Sequence, residues 1–189
     1  LVSCDRALET DPGFVEALCH RGNLLCELKR YEAGVENYNC ALKIRPTHAD
    51  ALVDRSLALS APLRYEGALR DCDDALKIRP EDVVALSNRG LVLRNLGRHE
   101  EALTSYDRAL TIKPEHVDAR NGRAVVLFEI KQFDLALAEY DHALRIDPNH
   151  ADTHMNVALC RLQLGDFARG WEEYEWRWQT AKFREMRLD

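Results

Sequence analysis

The sequence predicts an all-α fold, a solenoid of antiparallel helix pairs. Two observations predict it. Pro12, Pro46, Pro80, Pro114 and Pro148 stand 34 residues apart, and only Pro62 falls off that grid. A fixed period of this length marks one small structural unit copied along the chain. Within each period the apolar residues recur at helical spacing, as Leu18, Leu25 and Leu28 do on one stretch and Val35, Tyr38, Ala41 and Leu42 on the next. Each unit therefore reads as helix A, a short turn, helix B and a proline that ends it.

The units follow in order. Residues 1–14 read as a helix B without its helix A, so the chain is expected to be a piece of a longer protein. Full units are expected at 15–48, 49–82, 83–116 and 117–150, with an atypical last one and its tryptophan-rich helix at 151–189. Small residues repeat in columns: Ala7, Ala41, Ala75, Ala109 and Ala143 in one; Gly34, Ala68, Ala102 and Ala136 in another; Gly22, Ser56, Gly90, Ala124 and Ala158 in a third. Bulky ones alternate with them, such as Tyr31, Tyr65, His99 and Phe133, or Tyr38, Cys72, Tyr106 and Tyr140. Interleaved large and small side chains let helix pairs interdigitate. Gly97 ends a helix A, and Glu100 and Glu101 open the helix B that follows. Lys43, Arg45, Lys77, Arg79, Lys113 and Arg145 sit near helix B ends, where cations suit the dipole.

The stretches GNLLCELKRYEAGVENYNCALKIRP and GLVLRNLGRHEEALTSYDRALTIKP resemble the tetratricopeptide repeat family over nearly the whole chain. The first position of that motif, often Trp, is here Leu18, Leu52, Leu86, Arg120 and His154. The resemblance implies a right-handed superhelix whose concave surface is lined mainly by helix A. It also implies a protein-interaction scaffold that binds a peptide or a partner helix there. The groove positions it implies include His20, Asn23, Asp54, Asn88, Leu91, Asn121, Met155 and Asn156. Asn88 and Asn156 share a column where related superhelices carry asparagines that bond peptide backbone. His20, Asp54 and Gly122 interrupt that column. A clamp for acidic tails would need basic residues on the groove; instead Glu16, Asp50, Asp118 and Asp152 line up. Those carboxylates suit either the first turn of helix A or a basic ligand.

Bulk properties exclude other classes. The formal charge of −6 argues against broad nucleic-acid binding. No apolar run is long enough to cross a bilayer as a helix, so no membrane partner is expected. Six cysteines without a C-x-x-C pair fit reduced thiols and a cytoplasmic setting. His48, His116 and His150 recur in one column just before helix A, which suggests capping rather than metal binding. No nucleophile motif, phosphate loop or zinc helix stands out, so no catalytic residue, metal or cofactor is expected in this chain.

Two further patterns are informative. Arg21, Arg55, Arg89 and Arg123 form one ladder; Asp5, Asp73, Asp107 and Asp141, with Asn39, form another on helix B. The ladders either pair across adjacent helices and fix register, or leave a cationic strip for a ligand. At the far end Arg161 and Arg177 break their columns, and Trp171, Trp176 and Trp178 crowd together. They form either a terminal cap or an interface, through which self-association is a further expectation. The segment LGDFARGWEEYEWRW resembles a junction in bacterial tetratricopeptide proteins ahead of a glycosyltransferase-like domain. That implies a parent enzyme for which this chain would recruit substrate.

Overall fold

The computed structural model describes residues 1–61 and 63–179. Among them all regular structure is helical, in two compact units divided after Arg98. The first unit holds α1 (Val2–Thr10), α2 (Val15–Glu27), α3 (Tyr31–Ile44), α4 (Ala49–Ser60), α5 (Tyr65–Ile78) and α6 (Val83–Asn95). The second holds α7 (His99–Ile112), α8 (Val117–Glu129), α9 (Phe133–Ile146), α10 (Ala151–Gln163) and α11 (Phe167–Tyr174), followed by a 3-10 turn at Glu175–Gln179. Residues 180–189 of the expected last repeat lie outside the described residues.

Within each unit, neighbours in sequence are neighbours in space. α2 packs along α3 and α4 along α5; α8 packs along α9 and α10 along α11. Each hairpin then leans on the next, α3 on α4 and α9 on α10. The small columns sit at these contacts: Ala41, Ala68, Ala75, Ala136 and Ala143 are wholly buried. A methyl group on Gly34 would lie 2.6 Å from Cys26 Sγ, which shows how closely α2 and α3 approach. Tyr38 and Tyr140 are the largest side chains buried against such small neighbours. This is the large-into-small packing that close helix pairs require.

The turns that follow α2, α4, α6, α8 and α10 share one backbone geometry. Lys29, Leu63, Gly97, Lys131 and Gly165 all have left-handed φ. In each case the next amide bonds back to a carbonyl five residues earlier: Arg30 to Leu25, Arg64 to Leu59, Arg98 to Leu93, Gln132 to Leu127, Asp166 to Arg161. That is the Schellman closure, which satisfies carbonyls left open by a helix end. Between hairpins the grid prolines lie just past the helix B ends; α3 stops at Ile44 before Pro46, and α5 at Ile78 before Pro80.

The helix A starts are capped in a repeated way. His48, His116 and His150 each accept through Nδ1 from the amide three residues on, at 3.1–3.2 Å, and Asp82 accepts from Val84 and Ala85 in the same column. The last hairpin departs from the pattern. α11 gives way after Tyr174 to a 3-10 turn, so Trp176 and Trp178 lie on that turn rather than on the expected helix. Arg177 stands where earlier units place a buried alanine, and a guanidinium cannot enter that contact.

Candidate functional site

In the first unit, one face of α2, α4 and α6 opens into a cleft of about 630 Å³. Asn23, Asp54 and Leu91 line it, together with Glu27, Tyr31 and Leu57. Three of the expected groove residues thus share one cavity, brought there by α2, α4 and α6. On its lining the Asn23 amide, with its nitrogen turned toward its acceptors, lies 3.2 Å from Asp54 Oδ2, 3.0 Å from the Cys19 carbonyl and 2.5 Å from the Tyr38 hydroxyl. Cys26 Sγ lies 4.0 Å from the same hydroxyl.

Burial sets the electrostatics of these groups. It raises the Asp54 carboxyl above its ordinary value, with Asp50 adding to the effect, while the Asn23 hydrogen bond opposes it. It also pushes the Cys19 thiol to about 11 and raises Cys26 and Tyr38. These thiols therefore stay protonated and are poor nucleophiles at neutral pH. The arrangement is suited to hydrogen bonding and packing.

The other expected groove residues are placed differently. His20 is exposed, and the Asn88 amide lies at 3.5 Å from both the Val53 carbonyl and Ser56 Oγ. In the second unit Asn156 donates to Asn121 Oδ1 at 3.0 Å, and Met155 is half-buried beside them. The gap in the asparagine column at Gly122 has a packing cause: a Cβ there would meet the Tyr106 ring at 2.6 Å. In the acidic column, Glu16 meets Arg45 at 2.9 Å, Asp50 meets Arg79 at 2.5 Å and Asp118 meets His150 at 3.4 Å.

The two ladders meet at a constant offset of sixteen residues. Arg21 contacts Asp5 at 2.9 Å, Arg55 contacts Asn39 at 2.7 Å, and Arg89 and Arg123 contact Asp73 and Asp107 at 2.7 Å each. Asp141 is exposed, and its place sixteen residues on is taken by Val157. Sequence reasoning missed a second column on the following helix B. Arg21 also reaches Asn37 at 3.3 Å, Arg55 reaches buried Asp71 at 2.6 Å, and Arg123 reaches Glu139 at 2.9 Å. Each of these three arginines therefore bridges two helices. The polar residues Asn37, Asp71, Ser105, Glu139 and Glu173, again 34 apart, were the available signal.

Arg120 and His154, which replace the leucine of their column, form one constellation twice. Arg120 reaches Glu139 at 2.9 Å and the Pro114 carbonyl at 2.7 Å; His154 reaches Glu173 at 2.5 Å and the Pro148 carbonyl at 2.9 Å. Trp176 stacks flat on the His154 ring, with centroids 4.0 Å apart. Arg177 lies over Tyr174 and Trp178, while Trp171 meets Tyr174 edge-on and is 58 % exposed. Among the described residues no group of three or more His, Cys, Asp or Glu could hold a metal ion, and no helix is long and apolar enough to cross a membrane.

Comparison with known proteins agrees with this architecture. Tetratricopeptide repeat patterns match residues 15–48, 53–116 and 88–151, more than half of the chain. No curated protein sequence matches it. Among solved structures, a tetratricopeptide repeat protein from Parabacteroides merdae superposes with a TM-score of 0.82 at 21 % identity, covering 92 % of this chain and 68 % of its own. A thermophilic tetratricopeptide repeat protein of Thermus thermophilus gives 0.80 at 20 % identity, covering 92 % and 95 %. YrrB, described as a tetratricopeptide repeat protein with an unusual peptide-binding site, gives 0.64 at 21 % identity, covering 93 % and 91 %. At these identities the structures speak for the fold; with the repeat patterns matched along the sequence, the chain belongs to the tetratricopeptide repeat family.

Proposed function

We propose that this chain is a protein-interaction scaffold that holds a peptide or a partner helix on the α2, α4 and α6 face of its first unit. Proteins of the family are generally interaction scaffolds, and one structural neighbour carries a peptide-binding site. The observation that carries the reading is the cleft of about 630 Å³, in which Asn23, Asp54 and Leu91 converge. Exposed Leu57 offers an apolar anchor beside polar groups able to bond a peptide backbone. The raised thiol pKa values and hydrogen-bonded lining support binding over chemistry.

Selection of a random peptide library against the intact chain tests it. Enriched peptides should bind, and Leu57→Glu should weaken capture by about tenfold or more while leaving the thermal melt unchanged. Leu57 is 54 % exposed, so the substitution is compatible with folding. Absence of enrichment, or peptides indifferent to Leu57→Glu, would remove the face from consideration.

A second reading makes the chain the substrate-recruiting arm of a bacterial glycosyltransferase-like parent. The resemblance over residues 164–178 favours it, as does the exposed Trp171 on the shortened α11. The same exposed end is the surface through which copies of the chain would associate. Free cysteines, among them exposed Cys40, favour a reducing, cytoplasmic setting.

A further inference from the structure

The lining of the cleft discriminates among peptides. We infer that it takes a lysine or arginine side chain, its charged head against Asp54 and Glu27 and its stem along Leu57 and Leu91. This inference rests on the peptide-binding reading above and narrows its ligand class.

Charge complementarity is the first ground. The residues lining the cleft include two carboxylates, Asp54 and Glu27, and no lysine, arginine or histidine. Three other acids of this unit have cations: Glu16 has Arg45, Asp50 has Arg79 and Asp71 has Arg55. Among the described residues neither Asp54 nor Glu27 forms an ion pair. One oxygen of Asp54 takes the Asn23 amide, and the residue itself lines the cleft. A half-buried carboxylate of this kind is held at a cost that an arriving cation offsets.

The shape of the lining agrees with the charge. Lysine and arginine carry an apolar stem behind a cationic head, and bury the stem along apolar surface. Leu57, Ala58 and Leu91 supply that surface, and the half-buried ring of Tyr31 stands beside the acids as a partner for a cation. An acidic peptide would meet two uncompensated carboxylates. The net charge of −6 would also speed encounter with a basic segment.

The test begins from the same library selection and adds a double-mutant cycle. Each enriched peptide is resynthesised with each Lys replaced by norleucine and each Arg by citrulline. Affinities are measured by calorimetry for the wild-type chain, Asp54→Asn and Glu27→Gln. The expected result is a basic residue fixed at one position, whose neutral replacement costs about tenfold or more. Asp54→Asn should weaken the basic peptide similarly and leave the neutral peptide unaffected. Should Asp54→Asn disturb folding, the same cycle with exposed Glu27→Gln decides. Enriched peptides without Lys or Arg, or a cycle with no coupling, would overturn the basic-ligand inference and leave peptide binding standing. No enrichment at all would overturn both.

Discussion

A half-buried carboxylate that lacks a cation lowers stability, and Asp54 is such a group. Its folded pKa is raised above the ordinary 3.8 by burial first, with Asp50 adding to it while the Asn23 hydrogen bond and His48 oppose. Between the ordinary value and the raised one, the folded state binds more protons than the unfolded state. Its contribution to stability is therefore fully present below pH 3.8 and is lost as pH rises through the raised value. Asp54→Asn removes that loss, because the amide stays neutral and can still bond Asn23. Urea titrations across about pH 4 to 7 should show the variant gaining on the wild type as pH rises, and more stable at neutral pH. A wild type that is the more stable at pH 7 would mean that Asp54 is already compensated within the chain. Gain of stability with loss of basic-peptide affinity is the pattern of a residue kept for binding.

At the scale of the helix, the period is carried by the turns as much as by the columns of side chains. All five of these turns place one residue in the left-handed region, yet only Gly97 and Gly165 are glycines there. Lys29 and Lys131 adopt φ of 58° and 64° with a Cβ that the region disfavours. They are held because the Schellman bond and the hairpin contacts fix the geometry around them. Lys131→Gly should therefore stabilise the chain by about 0.5–1 kcal/mol, and Gly97→Ala should destabilise it by about 1 kcal/mol. The space around Gly97 is open, so that cost would be conformational rather than steric. Thermal melts of the two variants check both signs; equal melts would mean that the turns relax to another backbone.

For the molecule as a whole, the period of 34 was enough to read the architecture, since five prolines and three small-residue columns all demand the same hairpin. Of the residues expected to line a groove, Asn23, Asp54 and Leu91 share one cleft, whereas Asn121 and Asn156 bond each other. What stayed hidden depends on where long side chains reach. The second partners of Arg21, Arg55 and Arg123 lie in a column that changes between Asn, Asp, Ser and Glu, so no single residue type announces it. The Trp176 stack on His154 likewise depends on a helix that stops early. Within this polar network Glu139 on α9 holds both Arg120 and Arg123 at 2.9 Å. Arg120 is buried and its Nε already has no partner, so Glu139→Leu would leave that guanidinium without a carboxylate, held only by the Pro114 carbonyl, while Arg123 would keep Asp107. The expected cost is about 3 kcal/mol or more. Arg120→Leu restores the leucine found at positions 18, 52 and 86 and leaves Glu139 with Arg123, so its cost should stay within about 1 kcal/mol. Stacked repeats lose stability nearest the lesion. Hydrogen exchange in Glu139→Leu should therefore accelerate in α8, α9 and α10 while α2, α3 and α4 keep their protection. Uniform acceleration over all helices would show that the chain unfolds as one cooperative block.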